Sequence, residues 1–313
     1  GGLVFASLSA GFHHTCGVTT SGAAYCWGLG STGELGQGAA VSSLTPVPVA
    51  SPGGTPLTWA SVSAGSGYTC GVTTSGVGYC WGSNGSGALG TGNNFSSSTP
   101  VPVSGGHKFA AITAATNGFS CGLTLNGTAL CWGNGAAGAL GDGTRTSKLA
   151  PVAVSGGLTF SLLDAGGNHT CGLAGTGTGA AYCWGANVDG GKLGSGSGTF
   201  FDSPVPLAVV GGLNFAQVSA GRNHTCGVTT TNAAYCWGSN SHGQIGNGGS
   251  IFSAFPSPAA VSGGLGFLTV SAGGFHTCGV TTSQATYCWG AGALLGNGTT
   301  TASNTPVAVS DPQ

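Results

Sequence analysis

Apolar and polar positions alternate along this chain in runs of five or six residues, separated by stretches rich in Gly, Ser, Thr and Asn. In Ala24-Tyr25-Cys26-Trp27 the alternation puts Tyr25 and Trp27 on the strand face opposite Cys26. No window carries an apolar stripe at helical spacing, so the chain is predicted to be all-β.

The runs recur in a fixed order. A unit reads GG(x)nFAxVSAG, NHTCGVTT, a short turn, AAYCWG, a Gly-rich stretch ending GxLGxG, and a Pro-Val-x-Val close. Six copies fill residues 1–52, 53–104, 105–155, 156–210, 211–262 and 263–313. One supersecondary unit written six times buries its apolar faces against its neighbours, so 1–313 is expected to form a single repeat domain.

Each copy contributes two cysteines, and the second is always followed by Trp-Gly. In the first copy, HTCGVTTSGAAYCWG reads as two strands joined at Thr20-Ser21-Gly22, with Gly22 supplying the positive φ of a three-residue hairpin turn. That register sets Cys16 opposite Cys26, close enough to bridge. The same reasoning pairs Cys70 with Cys80, Cys121 with Cys131, Cys171 with Cys183, Cys226 with Cys236, and Cys278 with Cys288. The fourth turn is longer by two residues, and an even insertion keeps both sulfurs on one face. On the other face, small Gly17 lies across from Tyr25 and Thr15 across from Trp27. The six Trp of the CWG motifs are therefore expected to pack between neighbouring units.

Charged residues make up 4% of the chain, against about a quarter in ordinary soluble proteins. Five Lys and Arg cannot form the basic patch that neutralises phosphates, which argues against a nucleic-acid partner. No apolar run reaches the length needed to span a bilayer. The chain contains no Met, and its twelve cysteines fall at an even, repeating spacing. Together these predict an extracytoplasmic protein, secreted, periplasmic or at the cell surface, from which a signal peptide has been removed.

The motifs His14-Thr15, Trp27-Gly28, Gly33 with Leu35-Gly36 and Gly38, and Pro46 with Val49, with counterparts through Gly243, Ile245, Gly246 and Gly248, resemble the repeat of the regulator of chromosome condensation family. The resemblance covers all six copies. It implies a β-propeller with blades of four antiparallel strands. The family usually has seven blades. The count here predicts six, one disulfide each, with a seven-bladed ring as the alternative and with the strand Pro306-Val307-Ala308-Val309 closing the ring against the first copy. Eukaryotic members exchange nucleotide on a small GTPase and bind chromatin through charged surfaces that this chain lacks. Its composition is closer to secreted bacterial members, one of which inhibits β-lactamases through an aromatic-rich face.

Candidate chemistry is sparse. His14, His169, His224 and His276 share a strand face with cysteine, but Tyr68 and Phe119 occupy the same position in the other copies, so no metal site is expected. Glu34, Asp142, Asp164, Asp189, Asp202 and Asp311 lie apart, with no second acid nearby to form an acid–base pair. Neither an enzymatic site nor a cofactor is expected. Asn84, Asn94, Asn126, Asn168, Asn223 and Asn297 stand in glycosylation sequons. The copies differ most in the loop before the Pro strand. Two neighbouring loops are bulky there, with Phe200 and Phe201 in one and Ile251, Phe252 and Phe255 in the other. Such a cluster is expected on one rim as a partner patch. The function expected is a non-catalytic scaffold that binds a protein or serves as a subunit of a surface or membrane-associated assembly. A carbohydrate-binding module, an inhibitor-like binder, and a hydrolase or lyase are the alternatives.

Overall fold

A computed structural model of the chain describes residues 2–175, 179–196 and 200–310. Gly1 and Asp311 lie outside them. Each repeat folds into one four-stranded antiparallel sheet in simple up-and-down order, so the chain is an all-β propeller of six blades. It divides into two compact units, Gly1–Ala136 with Leu140–Gly157, and Ala137–Ala139 with Leu158–Gln313.

The first unit carries three blades. Their strands are Phe5–Ala10, His14–Thr19, Ala24–Gly28 and Ser43–Pro48; then Trp59–Ala64, Tyr68–Thr73, Gly78–Gly82 and Ser97–Pro102; then Phe109–Ala114, Phe119–Thr124, Ala129–Gly133 and Lys148–Ala153. The second unit repeats the plan. Its strands are Phe160–Ala165, His169–Ala174, Ala180–Gly185 and Ser203–Ala208; then Phe215–Ala220, His224–Thr229, Ala234–Ser239 and Ala254–Ala260; then Phe267–Ala272, His276–Thr281, Thr286–Gly290 and Ser303–Ala308. The last strand pairs with its own blade, Val307 opposite Cys288. This corrects the expected pairing of the Pro306–Val309 strand with the first repeat: in every blade, all four strands come from one copy.

The core lies between blades within each unit. One layer of the first unit gathers Cys16, Val18 and Leu35 of the first blade against Trp59 and Trp81 of the second. In the second unit, Cys226, Val228 and Ile245 meet Phe267, Val270 and Trp289 in the same way. A strand with small residues on one face and a disulfide on the other is too thin to make a core alone, and stacking supplies the missing apolar contact.

Candidate binding surface

The central hairpins form as their spacing dictates. Cys16 sits opposite Cys26, Gly17 opposite Tyr25 and Thr15 opposite Trp27. All six cysteine pairs are bonded, with Cα atoms 4.0–4.1 Å apart. Gly22 takes φ +81°, and its N–H donates to the Thr19 carbonyl at 2.9 Å, closing the turn. The longer fourth turn keeps Cys171 opposite Cys183. In the chain-entropy account each bridge contributes about 2–3 kcal/mol, so the blades are rigid platforms for the loops they carry.

Between blades a repeated polar network holds the register. In the first unit Thr69 Oγ1 and Trp81 Nε1 both donate to the Glu34 carbonyl, each at 2.9 Å. His14 Nε2 lies 2.8 Å from Thr69 Oγ1. In the second unit Thr277 Oγ1 and Trp289 Nε1 donate to the Gln244 carbonyl, each at 2.9 Å, and His224 Nε2 lies 2.8 Å from Thr277. Each Thr proton is committed to a carbonyl, so the imidazole Nε2–H donates to the Thr oxygen and the buried Nδ1 is left bare and without a partner. Burial drives His224 from 6.5 down to about 3, with His276 adding to the effect. Burial likewise lowers His14 to about 4, opposed by Glu34 and reinforced by His13. These rings are neutral blade-to-blade donors. Among the described residues no group of three His, Cys, Asp or Glu is placed to hold a metal ion.

The described carboxylates are occupied structurally. Glu34 Oε2 accepts the Thr32 N–H and hydroxyl, both at 2.8 Å. Asp164 accepts the Ala220 N–H at 2.8 Å, Asp202 accepts that of Asn187 at 2.8 Å, and Asp189 holds the buried Lys192 ammonium at 3.0 Å. Asp142 pairs with Lys148 at 3.3 Å. Burial opposes the Asp142 charge, but its bonds to Thr144 and Lys148 hold the carboxyl below its usual range. The sequon at Asn84 is closed to glycosylation in the folded chain, because the amide is buried and its Nδ2 donates to the carbonyls of Asn93 and Phe95.

The bulky rim splits into two kinds of residue. Phe201 and Phe252 are 77% and 83% exposed, and Ile251 is also exposed. Phe200 and Phe255 are half-buried, and Phe255 packs against the core of its unit. The two loops are neighbours, since Gly196 N–H donates to the Pro256 carbonyl at 2.9 Å. Both are also anchored. Asp202 is tied to Asn187, and Asn240 donates to the Ser250 carbonyl at 3.0 Å while accepting the Ile245 N–H at 3.0 Å. Phe252 is held at φ +74°, a left-handed backbone that bulky residues rarely adopt. Sequence reasoning missed these anchoring amides. Their signal is that Asn84, Asn187 and Asn240 each stand three places after a Trp, where the other copies have Gly30, Gly135 and Gly292. It also missed Phe95, exposed on the equivalent loop of the second blade.

Comparison with known proteins places this geometry. A profile described as the regulator of chromosome condensation (RCC1) repeat matches residues 21–72, 75–122, 126–173, 178–228 and 232–280, and a second of the same description matches 5–34 and 215–244. The ultraviolet-B receptor UVR8 of Arabidopsis thaliana is 30% identical over 291 residues, which cover 91% of this chain and 65% of the receptor. The E3 ubiquitin-protein ligase HERC2 of Homo sapiens is 27% identical over 299 residues, 93% of this chain and 6% of the ligase. This chain thus spans less than two thirds of the length of these relatives. Among solved structures, human WBSCR16 superposes with a TM-score of 0.87 at 18% identity, covering 99% of this chain and 83% of that one. Prp20p from Saccharomyces cerevisiae superposes with a TM-score of 0.82 at 22% identity, covering 97% and 76%. The structural matches establish the fold, the sequence profiles establish the kinship, and the chain belongs to the regulator of chromosome condensation (RCC1) repeat family.

Proposed function

We propose that this chain is a non-catalytic extracytoplasmic scaffold that binds a protein partner, or a subunit of a larger surface assembly, through the rim formed by Phe201, Ile251 and Phe252. One observation carries the reading: two large aromatic side chains are held out in solvent on neighbouring loops that are pinned by the buried Asn187 and Asn240 and the half-buried Asp202. Exposed aromatic clusters on rigid supports match the anchors of protein interfaces, because little conformational entropy is lost when they are covered. Relatives of the fold offer a parallel. Yeast Prp20 has been seen bound by Kap60, and Prp20p has been studied for its binding to Gsp1p and histones.

Six disulfides with no free thiol support an oxidising compartment. The structural use of the described carboxylates supports a binding rather than a catalytic role. The test is affinity capture from the native source, comparing the natural chain with the double variant Phe201→Ala, Phe252→Ala. Loss of the captured protein with an unchanged melting temperature is the expected result. Undiminished capture by the variant would overturn the assignment of the rim, and a melting temperature lowered by many degrees would show that the rings serve stability instead.

A further inference from the structure

Every blade is written by nearly the same residues, so each position has internal controls, and one junction inside the second unit departs from them. In the turn that leads into the second strand of the blade of 215–260 stands Arg222, where the other copies carry Phe12, Ser66, Asn117, Gly167 and Gly274. One place later in the next blade, Phe275 replaces the Asn168 and Asn223 of the two preceding blades. Cation and ring meet where these two blades pack. The Arg222 guanidinium lies over the Phe275 ring, 5.8 Å from its centroid. The imidazole of His242 packs against the same ring with centroids 4.8 Å apart, and its Nδ1 is 2.9 Å from Ser241 Oγ.

The charge at this junction is unbalanced. Lys192, the other cation of the second unit, is buried and neutralised by Asp189 at 3.0 Å, whereas Arg222 is exposed and has no carboxylate partner among the described residues. Stacking on Phe275 fixes the guanidinium plane and leaves its N–H edge free. Gln244, two residues after His242, is fully buried; its Oε1 accepts the His242 N–H at 2.8 Å, and its Nε2 has no acceptor. The acids of the adjoining loop are already engaged, Asp189 with Lys192 and Asp202 with the Asn187 N–H. What the junction offers is spare donors.

The cation stack is continuous with the aromatic rim. Arg222 stands between the strands Phe215–Ala220 and His224–Thr229, and His242 between Ala234–Ser239 and Ala254–Ala260. Up-and-down strand order brings both connections to the same end of the blade. Ile251 and Phe252 lie in the loop that carries His242, and Asn240 draws that loop together: its carbonyl accepts the Phe252 N–H at 3.3 Å and its N–H donates to the Ser253 carbonyl at 3.1 Å. We infer that this end of the blade is the docking surface for an acidic protein segment, which sets an Asp or Glu carboxylate on Arg222 while an apolar side chain of the same segment covers Phe252. The inference rests on the rim reading proposed above and adds the chemistry of the partner. A carboxylate matches the guanidinium edge as a bidentate pair, and Arg beside aromatic rings is the composition of interface cores. One unpaired cation suits one carboxylate, whereas a nucleic acid calls for a row of cations.

The test is selection of short random peptides on the natural chain, followed by titration of an enriched peptide and of its twin in which every Asp and Glu is replaced by the amide. Enriched peptides are expected to set an acidic residue beside an aromatic or aliphatic one and to lose binding to the double variant Phe201→Ala, Phe252→Ala. Arg222→Gln is expected to bind them about tenfold more weakly, the worth of one charge-assisted hydrogen-bonded pair. The amide twin loses the same factor on the natural chain and nothing further on Arg222→Gln. Arg222 is exposed, so the melting curve of its variant should coincide with that of the natural chain. Peptides that need Phe201 and Phe252 but show no acidic preference, or that bind Arg222→Gln as tightly as the natural chain, overturn this inference and leave the rim reading standing. A loss on Arg222→Gln shared equally by acidic peptide and amide twin assigns Arg222 to the fold and overturns it as well. A selection with no binder that depends on Phe201 and Phe252 overturns both.

Discussion

The two compact units fill one strand-entry position differently: His14, Tyr68 and Phe119 in the first, His169, His224 and His276 in the second. The slot is the same, at the head of the second strand of each blade. In the first unit Tyr68 places its hydroxyl against the carbonyls of Ala115 and Phe119 and accepts the Ser120 hydroxyl at 3.2 Å. Burial raises that phenol, so it stays protonated at any ordinary pH. In the second unit His169 and His224 donate to Thr225 and Thr277 at 2.7 and 2.8 Å. Burial lowers both imidazoles, and His169 is lowered further by Lys192 and His224. A phenol and a neutral imidazole therefore serve equally well as buried donors at neutral pH. Only the imidazole gains a second proton on acidification, and that proton, on Nδ1, finds no acceptor.

The largest expected effect is an acid sensitivity confined to the blades whose second strand opens on a buried histidine, those of His169 and His224 in the second unit and that of His14 in the first. A histidine with a folded value below its unfolded 6.5 stabilises the fold fully above pH 6.5 and loses that contribution as pH falls toward the folded value. At pH 4 the loss from His224 alone is about 3 kcal/mol, and His169 adds to it. Hydrogen exchange at pH 4 is expected to open 169–174 and 224–229 well before 68–73 and 119–124. Opening of 68–73 and 119–124 as early as the histidine-headed strands would break the comparison.

Substitution sharpens it. His224→Phe copies the residue found at Phe119 and removes the titration, so the pH dependence of stability below 6.5 is expected to flatten by about 1.4 kcal/mol per pH unit. Denaturant midpoints from pH 7 to 4 measure this. A slope unchanged from the natural chain would assign the acid response to another group.

The smallest effect belongs to the phenol. Tyr68→Phe leaves the Ser120 hydroxyl and two carbonyls short of one partner, a loss of about 1–2 kcal/mol. Because Tyr68 does not titrate in this range, the loss should be the same at pH 7 and pH 4. Denaturant titration at the two pH values tests that equality.

Much of this was legible in the chain. The twofold alternation around each Cys pair set the hairpin register, and the even insertion between Cys171 and Cys183 left it intact, because side chains change face at every residue of a strand. The candidate patch was legible only in part. Phe200, Phe201, Ile251, Phe252 and Phe255 stood out as the bulky variants of a repeated loop, but nothing in their order told which would turn inward. Phe255 packs inward, while the backbone at Phe252 is held by Asn240, whose carbonyl accepts the Phe252 N–H at 3.3 Å and whose N–H donates to the Ser253 carbonyl at 3.1 Å. Trp27 is the clearest miss. Its local sequence matches those of Trp81, Trp132, Trp184, Trp237 and Trp289, yet it is only half-buried where they are fully buried, which corrects the expectation that all six indoles pack between neighbouring repeats.

The sequence by itself determined the elements of this protein: six hairpins, their register, their disulfides and the face on which each Trp and Cys lies. These follow from contacts a few residues apart, where spacing is geometry. Only the tertiary structure decided which faces are covered, which histidines are sealed from protons and which phenylalanines meet solvent. Those depend on residues about fifty positions away in the next blade, and burial is a property of the neighbour as much as of the residue itself.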